Sequence, residues 1–560
     1  MKISGRLLAF ITLGSLAVVV ALPLFFVLLQ AVFPRFSEGS FAQPFGTFAA
    51  TLGDMRVLRL AGNTIGMGIA VCALSLVLAL PLAMLRGLVR LPGAELWDIV
   101  LLVPIMIPPY VGAFAWVLML QSGGYVSQLT GTQFGAFIFS VPGIVVVMSL
   151  HLFPVIYFAA SRAFLATSGG FAEAARVMGA SPLYALVRVT LPLAAPAIVA
   201  SLLLVFSLTI EEYGTPAALG AAANFEVLVT AIEERVNDYP IDIPGAAVLS
   251  LLLVGLALAA YVTQQVLLSR GSFTTISGKG RQTALPDIGR WKGPAHALFA
   301  LMSLAAVALP IAAVILTAST RTLSGGLAAD NFTTANFMRV FSNAGGGMSA
   351  LGTSLTLALG AALCTGLLGS LIAYLISRGD GSGEKMRGRT AIDAFSSLPN
   401  VIPGMVVAVG LILAWNQRWW PITPYNTVFI LLLAYVCLLL PYPVRYVGAA
   451  LRQISVSLDN AARVAGAGSA RVLRSILAPL VAPHLLVAMA VVFAIATREL
   501  VTSIMLAPPG VKTVAIFVFR QFEQGSPATG MAMAVIAILS STMLLVGFQV
   551  LGKRLGADTA

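Results

Sequence analysis

Long apolar stretches alternate along this chain with short polar segments. About twelve such stretches occur, near 7–33, 62–85, 99–120, 138–160, 193–210, 246–268, 295–318, 352–377, 395–415, 427–448, 480–497 and 530–551. A helix that crosses a bilayer needs about 20 mainly apolar residues. The pattern therefore predicts an all-α integral membrane protein with about 12 transmembrane helices. Prolines interrupt several of these stretches: Pro104, Pro108 and Pro109 in the third, Pro399 and Pro403 in the ninth, Pro154 in the fourth and Pro441 in the tenth. A proline frees backbone groups, and lipid tolerates this only where protein or a watery cavity covers them. Two readings follow: the third and ninth helices face the bundle interior, or they are simply kinked.

Composition agrees with a membrane chain. Of all residues 59% are hydrophobic and 10% are charged, against roughly 25% charged in a soluble protein. The net charge of +12 needs no nucleic-acid partner, because Lys and Arg gather on cytoplasmic loops. Lys2 and Arg6 precede the first stretch, and Arg86 and Arg90 follow the second. Arg162, Arg176 and Arg188 lie between the fourth and fifth. Arg270, Lys279, Arg281, Arg290 and Lys292 lie between the sixth and seventh. Arg378, Lys385, Arg387 and Arg389 follow the eighth. Arg445, Arg452, Arg463, Arg471 and Arg474 fall between the tenth and eleventh, and Lys553 and Arg554 follow the last. An even number of spans with both termini in the cytoplasm accounts for all of them. The first stretch is longer than a signal-peptide core and lacks a clear small-x-small cleavage site, so it is expected to stay as a helix. Cys72, Cys364 and Cys437 fall inside predicted spans with no metal or disulfide spacing, and the three histidines are scattered. No catalytic constellation emerges.

The chain repeats itself. Glu173-Ala174-Ala175-Arg176-Val177-Met178-Gly179-Ala180 recurs 287 positions later as Asn460-Ala461-Ala462-Arg463-Val464-Ala465-Gly466-Ala467. Arg86-Gly87 matches Arg378-Gly379, Pro104-x-x-x-Pro108 matches Pro399-x-x-x-Pro403, and Phe206 and Glu212 match Phe493 and Glu499. The expected organisation is a first six-helix half, 1–269, a basic cytoplasmic linker, 270–294, and a second six-helix half, 295–560. Six spans per half insert both halves in one orientation, so the repeats are expected to be parallel, about an axis along the membrane normal.

Each repeated segment reads as a helix-turn-helix in a polar loop. The alanine pairs make a helix face with little bulk, which another surface can approach closely. Gly179 and Gly466 permit a sharp turn. Glu173 suits a helix first turn. The segments resemble the EAA loop of bacterial ABC-importer permeases: Glu-Ala-Ala, three residues, Gly, nine residues, then Ile-x-Leu-Pro. The first copy matches at Glu173, Ala174, Ala175, Gly179, Leu191 and Pro192, with Val189 for Ile. The second matches at Ala461, Ala462, Gly466, Ile476 and Pro479, and departs at Asn460 and Ala478.

The resemblance implies a type I ABC-importer permease, a multi-pass protein of the bacterial inner membrane. It implies that each loop is a coupling helix docked on a cytosolic ABC ATPase, with two ATPase copies per complex and a periplasmic substrate-binding protein as further partner. Membrane lipid, not nucleic acid, surrounds it. No Gly-x-x-x-x-Gly-Lys-Ser/Thr phosphate loop is present; Gly381-Ser-Gly-Glu-Lys385 has the wrong spacing. ATP and Mg are therefore expected in the partner subunit, with no cofactor and no enzymatic site in this chain. The implied function is a permease subunit that moves substrate by alternating access. A fused pair, with Arg498-Glu499-Leu500 and Pro508-Pro509-Gly510, resembles the ferric-iron subgroup; thiamine, polyamine and aminoalkylphosphonate permeases are relatives. Two parallel six-span halves also describe a secondary transporter of major-facilitator type, which the doubled loop disfavours.

Acidic residues close the spans that follow the loops. Charges near the bilayer are costly. Glu211, Glu212 and Glu499 are candidates for a substrate path, since carboxylate oxygens suit a hard cation. The other reading is that Glu499 pairs with Arg498 while Glu211 and Glu212 cap a helix end. The loop after the fifth span carries Glu226, Glu233, Glu234, Asp238 and Asp242 against Arg235. That face either docks the binding protein or aids solubility.

Overall fold

The computed structural model describes residues 5–167, 171–270, 285–342, 346–378 and 389–554. Lys2, Lys279, Arg281, Lys385, Arg387, the 381–385 segment and most of the 270–294 linker lie outside the described residues. Every regular element among those described is helical, with two isolated bridges, Arg90 to Asp287 and Thr320 to Phe332.

Among the described residues nine helices are long and apolar enough to cross a membrane, and three bent pairs bring the candidates to twelve where each pair counts as one span. They are α1 (Phe10–Val32), α2 (Met55–Leu88), α3 (Ala94–Met106 with Pro109–Thr130), α4 (Val141–Ala166), α5 (Pro182–Glu211) and α6 (Ile243–Leu268). The second set is α7 (Gly289–Ala318), α8 (Gly347–Arg378), α9 (Arg389–Asn400 with Gly404–Trp415), α10 (Val428–Leu439 with Pro441–Gln453), α11 (Leu473–Ala496) and α12 (Pro527–Phe548). The twelve apolar stretches of the sequence fall on these nine helices and three bent pairs.

The prolines do two different things. At Pro108-Pro109 and at Pro403 the chain breaks outright, bending α3 by 95° and α9 by 111°. Pro441 bends α10 by only 42°. The limbs after the two sharp breaks are buried, from Tyr110 to Met119 and from Met405 to Ala414. The opened backbone is thus covered by protein, as an apolar medium requires. At four other prolines the preceding turn widens, whereas Pro81, Pro154, Pro196 and Pro483 lie within continuous α-helix. At 17–21, 186–190, 304–308 and 473–477 the helix closes with i to i−5 bonds: Leu22 to Ala17, Leu191 to Leu186, Leu309 to Leu304 and Ala478 to Leu473. Each such turn runs into a proline: Pro23, Pro192, Pro310 or Pro479. A proline ring would press on the carbonyl four residues back in a regular α-turn; widening the turn moves that carbonyl away. The four turns form two pairs, each 287 positions apart, so the duplication extends to backbone irregularities.

The chain forms two compact units. One comprises Met1–Gly53, Ile232–Val254 and Asn336–Ala560; the other comprises Asp54–Ala231 and Gly255–Ala335. Consequently α1 belongs with most of the second half, and α7 with most of the first. In the first of these units Pro23 of α1 lies against Gly410 of α9, where a Cβ would collide with the Pro23 carbonyl. Phe26, Phe36 and Trp419 stack around that contact. In the other unit α7 packs on the second limb of α3, and Tyr125 Oη lies 3.0 Å from Thr317 Oγ1. Spans approach closely at small residues, as helices in lipid do. Gly87 of α2 sits against Phe164 and the Ser161 carbonyl of α4, and Gly369 of α8 against Pro443 of α10.

Candidate coupling loops and outer carboxylates

The first repeated segment forms the short helix Phe171–Val177, a turn, the single-turn helix Pro182–Ala185 and then the widened turn that leads into the rest of α5. Ser181 caps the second helix, its Oγ accepting the Tyr184 N–H at 3.2 Å. Gly179 has φ +94°. Its N–H donates to the Arg176 carbonyl at 3.0 Å, and the Ala180 N–H donates to the Ala175 carbonyl at 2.9 Å. This is the usual left-handed closure of a helix C-terminus. Open space surrounds the position a Gly179 Cβ would take. The glycine is needed for its backbone conformation, not for close approach.

The second segment repeats the design. Helix Val456–Val464 ends at Gly466, φ +84°, with the Ala467 N–H donating to the Ala462 carbonyl at 2.9 Å. Helix Ser469–Val472 and a widened turn lead into the rest of α11. Both segments expose apolar side chains. Val177 and Met178 are each 87% exposed and Val464 is 90% exposed, with Phe171, Leu183, Tyr184, Val456 and Leu458 also open. Glu173, Ala174, Asn460 and Ala461 are exposed, and Ala175 and Ala462 half-buried. Large apolar side chains gathered on an exposed segment are a feature of surfaces that another molecule covers.

The carboxylates at the far ends of α5 and α11 hold backbone. Glu212 Oε1 accepts the Gly214 N–H at 2.9 Å and Oε2 accepts the Thr215 N–H at 2.8 Å, which starts the helix Gly214–Leu219. Glu499 Oε1 accepts both the N–H and the hydroxyl of Thr502, at 3.1 and 3.3 Å, and starts the equivalent helix Val501–Leu506. Burial raises both carboxyls above the ordinary range, and the donated N–H groups pull them back; Arg498 adds to that pull on Glu499. Glu211 is half-buried, and no partner for it occurs among the described residues.

The acidic loop after α5 is partly neutralised by one arginine distant in sequence and one within the loop. Arg56, at the start of α2, pairs with Glu226 at 3.0 Å, and Arg235 pairs with Asp242 at 3.4 Å. Glu233 Oε1 accepts from Asn237 at 2.9 Å, while burial and then the nearby Asp238, Glu523 and Glu234 raise its carboxyl. Tyr239 projects beside Asp238, 96% exposed. The equivalent outer helices are fastened alike: the Leu228 N–H donates to Thr64 Oγ1 at 2.9 Å, and the Val514 N–H to Ser354 Oγ at 2.8 Å. Sequence reasoning does not reach Arg56, Thr64 or Ser354. Among the described residues no group of three or more His, Cys, Asp or Glu side chains gathers as a metal ion requires.

A family model described as a binding-protein-dependent transport system inner membrane component matches residues 75–271 and again 365–556. The ferric transport system permease protein FbpB of Actinobacillus pleuropneumoniae is 25% identical over 96% of this chain and 78% of its own length. The Fe(3+)-transport system permease protein FbpB 2 of Haemophilus influenzae is 24% identical over 87% of this chain and 88% of its own. PhnV of Salmonella paratyphi A, a permease named for 2-aminoethylphosphonate transport, is 28% identical over 44% of this chain and 90% of its own.

Proposed function

We propose, since the chain belongs to the family of inner membrane components of binding-protein-dependent transport systems, that it is the permease of an ATP-driven importer of ferric iron. The observation that carries the coupling part is the doubled loop. Each copy offers an exposed short helix, closed by a left-handed glycine and continuous with a full span. In this reading Glu173, Ala174, Ala175 and Gly179, with Asn460, Ala461, Ala462 and Gly466, form two docking sites for two copies of a cytosolic ATPase, which binds ATP and Mg. Docking pushes on α5 and α11 and drives alternating access. The loops and both chain termini then lie in the cytoplasm, and the periplasmic binding protein meets the face around Asp238 and Tyr239.

Iron is favoured over an organophosphonate by coverage. The relatives named for ferric iron match almost the whole fused chain, whereas PhnV matches under half of it. Glu211, lacking a partner in its span, is the candidate ligand on the path. Glu212 and Glu499 position the short helices that follow. The test is ferric-iron uptake into proteoliposomes holding this chain, its ATPase and its iron-loaded binding protein. Uptake should require ATP. A Gly179→Val, Gly466→Val variant should hydrolyse ATP with uptake lowered about tenfold or more, since a β-branched residue at positive φ is strongly disfavoured. Normal uptake by that variant would remove the coupling assignment. Uptake of 2-aminoethylphosphonate but not of iron would remove the cargo assignment.

A further inference from the structure

The two halves carry the same arginine near the end of the same span but direct it to different partners. In the first half Arg86 of α2 donates from Nε to Asp98 Oδ2 at 2.9 Å, and Asp98 Oδ1 accepts the Tyr157 hydroxyl at 2.6 Å. That cluster joins α2, α3 and α4. Asp393 of α9 is the counterpart of Asp98, six residues before the matched proline. Its partner is Arg445 of α10, at 3.6 Å and half exposed. The exchange follows from two positions: Tyr157-Phe158 in the first half are Val444-Arg445 in the second.

Arg378 of α8, the counterpart of Arg86, reaches the second repeated loop instead. Its Nε forms an ion pair with Asp459 Oδ2 at 3.2 Å without hydrogen-bond geometry, Asp459 Oδ1 accepts no hydrogen bond among the described residues, and the two side chains are only 7% and 8% exposed. One further nitrogen donates to the carbonyls of Leu451, at 3.1 Å, and Ile454, at 2.6 Å, where α10 ends. Asp459 lies in the helix Val456–Val464, immediately before Asn460. It is buried and turned inward, so it does not replace the missing glutamate on the docking face. In the first loop the position of Asp459 is Ala172. Among the described residues neither Glu173 nor Arg176 makes an ion pair, so that loop has no counterpart of this tie.

We propose that Arg378 and Asp459 form a latch that fastens the second coupling helix to the ends of α8 and α10, making the two docking sites mechanically unequal. The proposal rests on the reading of the loops as ATPase-docking helices. The guanidinium holds the two carbonyls at the end of α10 by hydrogen bonds and Asp459 by charge, so one side chain joins two spans and the loop. Removing either partner leaves the other charge buried and uncompensated, which is strongly unfavourable. A displacement delivered at Val456–Val464 therefore passes to α8 and α10 as well as to α11. At Phe171–Val177 it passes into α5 through the chain itself.

The test uses the full chain with its ATPase in nanodiscs, comparing Asp459→Asn and Arg378→Lys with the native protein. Arg378→Lys keeps the charge and loses the guanidinium, so it serves where Asp459→Asn does not fold. Backbone amides of 456–464 should exchange about tenfold faster or more in each variant, since buried pairs are costly to break and local opening sets exchange. Exchange in 171–177 should not change. ATP consumed per iron delivered should rise several-fold while the ATPase stays bound. Unchanged exchange at 456–464, or equal acceleration at 171–177, would overturn the latch. The underlying reading has a separate readout: a cysteine at Ala465 in the native background should cross-link to the ATPase. Absence of that cross-link would remove the docking role, whereas the exchange data would still decide whether the latch exists.

Discussion

At the scale of single residues, equivalent positions do unequal work. Glu212 uses both carboxylate oxygens, one on each of two N–H donors, whereas the well-formed hydrogen bonds of Glu499 all fall on one oxygen, from Thr502, with the Val501 N–H as a lesser neighbour. A glutamine has one carbonyl oxygen. It can replace Glu499 Oε1 but cannot serve both Gly214 and Thr215. Glu212→Gln should therefore destabilise the outer part of its unit by about 1.5–3 kcal/mol, the usual worth of a hydrogen bond to a charged group. Glu499→Gln should lose less. Thermal unfolding and uptake rates of the two single variants check this; equal losses would show that capping is not their role. The sequence marks both residues, because acids at the ends of apolar stretches are conspicuous. It leaves path or cap open for Glu212, and path or a pair with Arg498 for Glu499, because the N–H groups they hold become available only once the chain has turned. For Gly179 and Gly466 the spacing is legible, but conformation and closeness are not separable until φ is known. Asp459 is the residue most easily misread, since its neighbour Asn460 draws attention and its own burial is visible only in three dimensions.

At the scale of elements, the apolar pattern marks all nine single helices and the three bent pairs because lipid imposes length and composition so strictly. It is silent on the widened turns. Their cause lies in single prolines, and apolar periodicity does not resolve one extra residue per turn. The turns at 186–190 and 473–477 set the angle at which each repeated loop meets its span. Replacing Pro192 with alanine restores an N–H and removes the ring that would press on the Arg188 carbonyl. The turn at 186–190 should then relax toward regular i to i−4 bonding and rotate the first coupling helix about the axis of α5. Unfolding temperature should stay the same or rise, while uptake falls severalfold, and Pro479→Ala should do likewise at the second loop. A loss of stability in step with the loss of uptake would mean that the proline serves packing and not orientation.

At the scale of the whole molecule, fusion and exchange act together. Because α1 belongs with the unit built mainly from the second half, and α7 with the unit built mainly from the first, neither linear half contains the whole of one compact unit. Sequence repeats reveal the duplication but not the exchange, since apolar faces carry no label for their partner. Each unit nevertheless holds one coupling loop, at 171–185 or at 456–472. On the proposed reading of these loops, one chain offers both docking surfaces for an ATPase pair. The purified complex should contain one copy of this chain and two of the ATPase, a ratio that native mass spectrometry reads directly. The exchange sharpens the expectation. Expressing 1–269 and 295–560 as separate chains should restore the complex only when both are present, because α1 and α7 must each reach the other chain. Either half alone should fail to bind ATPase stably. Two copies of the full chain per ATPase pair, or a stable complex of one half with the ATPase, would contradict the assignment of one loop to each unit as the basis of assembly.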